Sequence, residues 1–282
     1  MNRKTVLLSF LSILSGLSAC LGQNPRQRHL YFGAIGNYIL LNDRSIGQVP
    51  IDGLDAGLRI GFSNRGERSY WSISLQGTAG FMSLHPSGEL DDDSDVLVPL
   101  GTWNPKLASA GLPRYQAQIA NRYAGVIEAE YLHAVNRPHA RWRLSVGGLF
   151  SLYAYYNRIL VFSNSESNYF FHTAIAPKVQ ADYPFRMWEK DYRAYGTFSY
   201  DILGVVARPS YSLPFTDNRI DNIRIAGPGG YAMAQIGVGL YHPMRNGNAW
   251  QAAYRWTYDS DSHLNRVRQA VHSLSFTIHI NL

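Results

Sequence analysis

A chain of 282 residues is long enough for one large domain or two ordinary ones. Charged residues make up only 16% and aromatics 13%, and after the N-terminus no apolar run approaches the ~18 residues of a membrane-spanning helix, which excludes helical spans. The formal charge of +6, reduced to +4 if Arg3 and Lys4 are processed away, is too mild to argue for a nucleic-acid partner, and a mean hydropathy of −0.19 suits strands apolar on one face only.

The chain opens with a basic pair, Arg3 and Lys4, an apolar stretch Val6–Leu17 and then small residues. This reads as a signal peptide over residues 1–22, which leaves 23–282 as the mature domain. Cys20 stands in Leu17-Ser-Ala-Cys20, a sequence that resembles the lipobox of bacterial lipoproteins, where the cysteine is lipidated. Ordinary cleavage before Gln23, with Cys20 and Gly22 as the small residues at the site, is the favoured reading. With either outcome no cysteine remains for an intrachain disulfide, a cysteine metal site or a thiol nucleophile.

Ten segments then alternate with the side-chain period of two that marks a strand with one apolar and one polar face. Leu30–Leu40 puts Leu30, Phe32, Tyr38 and Leu40 outward. Leu54–Phe62 sets Leu54, Leu58, Ile60 and Phe62 against Asp55 and Arg59. Tyr70–Met82 sets Trp71, Ile73, Leu75 and Phe81 against Ser72, Ser74 and Gln76. Arg122–Val135 sets Tyr123, Ile127 and Tyr131 against Arg122, Glu128 and Glu130. Arg141–Tyr156 sets Trp142, Leu144, Val146 and Phe150 against Arg141, Arg143 and Ser151. Phe170–Tyr183 puts Lys178 and Asp182 inward, and Tyr192–Leu203 puts Arg193 and Asp201 inward. Tyr231–Tyr241 and Trp250–Tyr258 follow, the latter with Arg255 inward. The tenth, Ser273–Leu282, sets Leu274, Phe276, Ile278, Ile280 and Leu282 against Ser273, Ser275, Thr277, His279 and Asn281.

The connections alternate in length. Short turns rich in Gly, Pro and Asn are expected at Ser63–Glu67, Asn136–His139, Pro184–Lys190 and Pro243–Asn248. Longer connections lie at Leu41–Gly53, Ser83–Ala120, Asn157–Asn168, Val205–Gly230 and Asp259–Val267. Outer-membrane barrels have short periplasmic turns and longer extracellular loops. The expectation is therefore one all-β domain, a ten-stranded antiparallel transmembrane β-barrel, exported to the outer membrane of a Gram-negative cell with membrane lipid as its surroundings. The tenth strand should close on the first, and removing its last three residues should block insertion. Tyr153, Tyr155 and Tyr156 at one end, and Tyr183, Phe185, Trp188 and Tyr192 at the other, are assigned to interfacial aromatic girdles.

The inward face collects Asp55, Arg59, Arg122, Glu128, Glu130, Arg141, Arg143, Lys178, Asp182, Arg193, Asp201 and Arg255. A ten-stranded barrel is narrow, so side chains of both signs should pair and fill it. A charged pore or small-solute cavity is the alternative. The acidic run Glu89–Asp95 lacks the Gly and the terminal Glu of an EF-hand loop and reads as a solvated loop. No cofactor motif is found: Gly227-Pro-Gly-Gly230 precedes a strand and does not open a helix, so it is no phosphate loop. Ten strands is also the count of the omptin proteases, which work through paired Asp residues and an Asp/His couple at the outer rim. His172, His85, Asp217, Asp221 and a group of Asp259, Asp261 and His263 would offer such a rim, without recognisable omptin motifs. A lipid hydrolase would draw on His272 with Asn265, Ser262 and His263, without a nucleophile motif.

Three stretches, Tyr155–Asn164, Tyr200–Tyr211 and Ala270–Phe276, resemble an uncharacterised family of Bacteroidota outer-membrane proteins, a domain of unknown function. The resemblance covers roughly the C-terminal half. It implies a small outer-membrane barrel and supplies no activity. The sequence therefore points to a non-enzymatic barrel with a structural or accessory role, without a cofactor, and with a larger envelope complex as its candidate partner.

Overall fold

The computed structural model describes residues 27–44, 50–84, 118–136, 141–160, 167–209, 223–263 and 266–282. Twelve strands make up one sheet: β1 (Gln27–Asp43), β2 (Ile51–Arg65), β3 (Ser69–Leu84), β4 (Gln118–Ala134), β5 (Arg143–Ile159), β6 (Ser167–Met187), β7 (Lys190–Tyr200), β8 (Leu203–Ala207), β9 (Ile223–Ala226), β10 (Tyr231–Pro243), β11 (Ala249–Asp261) and β12 (Val267–Asn281). Every pairing is antiparallel between neighbours, and β12 closes on β1 through fifteen residue pairs from His29↔Asn281 to Asp43↔Val267. The result is a closed barrel of ten staves, two of which are split.

The split staves come from added residues. Below the break, Lys178 of β6 pairs with Ser199 of β7; above it, Ile175 pairs with Leu203 of β8. The β7–β8 stave therefore carries one residue more than β6 across this stretch, which is a β-bulge. The alternation slips with it, so that Ile202 and Leu203 are both exposed while Asp201 is buried. On the next stave, Ala226 of β9 pairs with Gly204 and Ala234 of β10 with Tyr200. The surplus is taken up by a turn in which Gly230 donates to the Gly227 carbonyl at 3.0 Å and Gly229 adopts φ +105°.

The outward face confirms the pattern read from the sequence. Leu54, Leu58, Ile60, Ile73, Leu75 and Phe276 stand exposed around the wall, Leu58 at 73%. A soluble protein does not leave so continuous a belt of large apolar side chains in water, whereas lipid is a solvent for it. A 17-residue strand such as β1, at about 3.3 Å per residue and a tilt of about 40°, reaches roughly 40 Å along the barrel axis, enough to cross the ~25 Å apolar band. The ten staves close into a ring, so among the described residues the wall has no open edge but that of the short β9, which pairs with β8 alone.

Several expectations are corrected. The strands run beyond the alternating segments at one end or both, while β4, β5, β7 and β12 stop short at the other. The turn expected at Pro184–Lys190 shrinks to Trp188 and Glu189, both at positive φ (49° and 60°), as a tight two-residue hairpin turn requires. The long connection from Val205 contains β8 and β9, and β11 continues through Asp259 to Asp261. Tyr153 and Tyr155 belong to no girdle: they share the inward parity of Arg143 and Ser151, and Tyr155 is 3% exposed. Arg141 does not enter the lumen. It precedes β5 at the rim and donates from Nε (3.1 Å) and Nη2 (2.6 Å) to the Tyr183 hydroxyl, its guanidinium 5.3 Å from that ring.

Two inward glycines face a tyrosine directly across the strand pair. A Cβ on Gly61 would lie 2.4 Å from the ring of Tyr31, and one on Gly239 would lie 2.4 Å from the ring of Tyr195. Each tyrosine lies over the bare backbone of its partner and stiffens a strand that glycine weakens. Gly239→Val should cost about 1–3 kcal/mol by overpacking. A Gly239→Val/Tyr195→Ala pair should recover part of that loss, as read from urea unfolding followed by tryptophan fluorescence.

Candidate functional site in the barrel lumen

The lumen is layered, and the alternation of each strand decides what stands in each layer. At the end carrying the short turns is an open vestibule of about 130 Å³. Arg193 places its guanidinium 4.2 Å over the Tyr241 ring, with Nε 3.5 Å from Asp182. Asp182 also accepts from Gln180 at 3.0 and 3.1 Å and stands directly across from Arg143. Arg65 lies 5.2 Å over the Tyr70 ring. His279 stacks on Tyr31 at 5.0 Å and meets Gln251 at 3.2 Å.

The next layer is an ion-pair waist. Glu128 holds Arg59 at 3.1 Å on one carboxylate oxygen and Arg255 on the other. Arg59 also donates to Ser74 at 3.1 Å. Glu130 takes Lys178 on one oxygen and the Ser72 hydroxyl at 2.8 Å on the other. These contacts join β2, β3, β4, β6 and β11, so they tie opposite walls together. Above the waist is a chamber of about 50 Å³, lined by Gln76, Thr78, Ser151 and Gln235 among others.

A third layer centres on Arg122, 1% exposed. It donates to Tyr153 Oη at 2.6 Å, Gln269 Oε1 at 2.9 Å and Asn157 Oδ1 at 3.3 Å, lies 3.7 Å from Asp55, and sits 4.2 Å over the Tyr155 ring. Asp55 accepts from Asn37, and Asp259 from Gln269 at 3.2 Å. At the long-loop end two apolar groups fill what remains. One is built from Ile39, Leu41, Ile51, Met82, Ile159 and Val267; the other from Tyr155, Phe170, Val206, Tyr231 and Met233. Beside them Asp261 is held by Arg224 and by Arg208 at 3.8 Å.

Of the twelve residues expected to form a lumen network, Asp55, Arg59, Arg122, Glu128, Glu130, Arg143, Lys178, Asp182, Arg193, Asp201 and Arg255 face inward, and Arg141 does not. They form separate layers. Asp201 joins none of the arginines: it meets His172 Nε2 at 3.3 Å at the β-bulge, with His172 wholly buried against Tyr231. The sequence reading missed Asn37, Tyr153, Asn157 and Gln269, although the same inward parity marks them. It missed Arg208 and Arg224 because both fall in the stretch Val205–Gly230 that it took for a long connection, where Arg224 lies on β9 and Arg208 directly follows β8.

Among the described residues, those named for the alternative rim hydrolases do not come together as a catalytic group. Asp259 and Asp261 point into the lumen and are engaged by Gln269 and the two arginines, and Asp261 meets His263 only through the His263 backbone N–H, at 2.9 Å. Ser262 donates its hydroxyl to the carbonyls of Gly229 and Gly230 at 3.1 and 3.2 Å. His272 lies on the lipid face, 2.8 Å from the Tyr254 hydroxyl. Among the described residues no group of three His, Cys, Asp or Glu side chains is placed to hold a metal ion. Cys20, the segment 1–22 expected to be a signal peptide, His85, the acidic run Glu89–Asp95, Asp217, Asp221 and Asn265 lie outside the described residues.

Closed ring, lipid-facing belt and polar filled interior define a transmembrane β-barrel of the outer-membrane type. No protein-family model matches the chain, and no curated protein sequence matches it. Among solved structures it is similar to the outer membrane protease OmpT from Escherichia coli, with 12% identity, 91% of this chain and 96% of that chain covered, and a TM-score of 0.41. The translocator domain of autotransporter NalP from Neisseria meningitidis gives 13% identity, 98% and 96% coverage and a TM-score of 0.41. The P. putida toluene transporter TodX gives 6% identity, 92% and 90% coverage and a TM-score of 0.27.

Proposed function

We propose that the chain is a non-conducting, non-enzymatic outer-membrane barrel of a Gram-negative bacterium, with a structural or accessory role in the envelope. Membership of the Bacteroidota family that its C-terminal half resembles, and association with a larger envelope complex, belong to the same proposal. Short turns lie in the periplasm and long loops outside. The observation that carries this reading is the filled lumen: the Glu128 waist, the Arg122 layer and the apolar groups above it stand in series across the bore. An ion crossing it would have to break buried charge pairs and pass an apolar constriction, both costly in a medium of low dielectric. The purified barrel should therefore give no stepwise conductance in a planar bilayer at 100 mV. Regular single-channel steps from the unmodified protein would overturn the reading in favour of a narrow channel.

A further inference from the structure

The vestibule differs from the layers above it in charge balance. Its wall carries five cationic side chains, Arg59, Arg65, Lys178, Arg193 and Arg255, against the carboxylates Glu128, Glu130 and Asp182. The waist consumes Glu128 and Glu130 on Arg59, Arg255 and Lys178. At the mouth that leaves Arg65 and Arg193, with Arg143 beside them, around Asp182. Glu67 in the β2–β3 turn attracts Arg143 and still leaves the mouth net positive.

The way these arginines are held matters more than their number. Arg65 and Arg193 each lie with the guanidinium against a tyrosine ring, Tyr70 and Tyr241. A cation–π contact uses the flat face of a guanidinium and leaves its in-plane N–H donors free. Arg193 Nε is 3.5 Å from Asp182 and makes no hydrogen bond, and among the described residues the Arg65 guanidinium donates none. These are oriented, partly desolvated forks of the kind that bind a planar carboxylate through two parallel hydrogen bonds. The cavity of about 130 Å³ opens at the short-turn end and admits an acid group from that side. The rest of such a ligand would extend out past the short turns.

We propose that the vestibule is a carboxylate-binding site, which grips the acid group of a periplasmic ligand between Arg65 and Arg193. The proposal rests on the closed-barrel reading, since a blind vestibule is what lets a ligand dwell there. The acid group has two sources, a free small dicarboxylate or an acidic peptide of a periplasmic protein. Titration calorimetry on the full barrel in nanodiscs, with succinate in one arm and a tetraglutamate peptide in the other, separates them. Saturable binding in either arm is expected, weakened at least tenfold by Arg65→Gln and by raised salt. Arg28→Gln, on the outward side of β1, should leave it unchanged. Arg143→Gln serves as a second variant should Arg65→Gln fail to fold, as judged by the gel migration of unheated samples. No saturable binding in both arms, or binding that both vestibule variants leave intact, overturns the site. Conductance is recorded on the same preparation, so a conducting barrel and an empty vestibule are told apart.

Discussion

Replacing Glu128 by alanine should be among the most damaging single changes in the barrel, because it strands two cations at once. Glu128 is the shared acceptor of Arg59 and Arg255. Removing one partner of a buried ion pair leaves an uncompensated charge and costs about 3–5 kcal/mol. The arginine side chains keep 21% and 22% exposure through the vestibule, so solvent relieves part of the penalty, and about 3 kcal/mol is the figure expected. The apolar triple replacement Arg59→Met/Glu128→Leu/Arg255→Met should behave very differently. It removes the charges together and keeps most of the volume, so its stability should fall within about 1 kcal/mol of the parent or exceed it. Urea unfolding in lipid, followed by tryptophan fluorescence, measures both. A triple variant as unstable as Glu128→Ala would mean that the waist contributes net stability as a unit.

That contrast bears on what the waist is for. If the ion pairs add little net stability over an apolar filling, their value is in register: each charge accepts a partner only when β2, β4 and β11 have the pairing seen here. A slip of one residue turns every inward side chain outward, and would put Glu128 into lipid. The charged interior and the apolar belt therefore reject the same errors from opposite faces.

The sequence disclosed as much of this as follows from a period of two. Along β1, β2, β3 and β12 the inward and outward sets are those the alternation gives, because those strands run unbroken through fifteen or more residues. Where one residue is added, as between Ser199 and Leu203, parity alone fails, and the two short strands beyond it, β8 and β9, are too brief to show a period, so Arg208 and Arg224 read as loop residues. Composition also misled at Tyr153 and Tyr155. Tyrosines near a strand end suit an interfacial girdle, but here their parity outranks their chemistry, and the hydroxyl of Tyr153 serves Arg122 and Gln269. Which charges pair was not legible at all. Glu128 and Arg255 are 127 positions apart, and only the stagger of the closed ring brings them to one level. The excess of cations at the short-turn mouth was equally hidden, since it depends on which pairs the waist has already taken.

Closure is the feature on which every layer depends, and it gives the second large effect. Ser275 pairs with Ile35 on β1 and with Ala253 on β11, so it sits in a strand bonded on both sides. Ser275→Pro removes an N–H donor from the ladder and forces a ring into a paired strand. In lipid the orphaned carbonyl opposite finds no water, and an unmet backbone group there costs several kcal/mol. The variant should fail to reach the compact, protease-resistant form. Deleting Ile280, Asn281 and Leu282 should act at the same seam, since it removes the pairs with Leu30 and His29 and the 2.9 Å bond from the Leu282 N–H to the Arg28 carbonyl. The neighbourhood itself is testable without damage. Ala34 and Phe276 stand directly opposite each other on the outward face, and opposed residues of an antiparallel pair have Cα separations of about 4.5–5.5 Å, within disulfide range. In a Cys20→Ser background, Ala34→Cys/Phe276→Cys should form an intramolecular disulfide on oxidation and migrate faster after heating without reductant. Failure to cross-link there, with ready cross-linking between β1 and any other strand, would move the seam and with it the register of the waist.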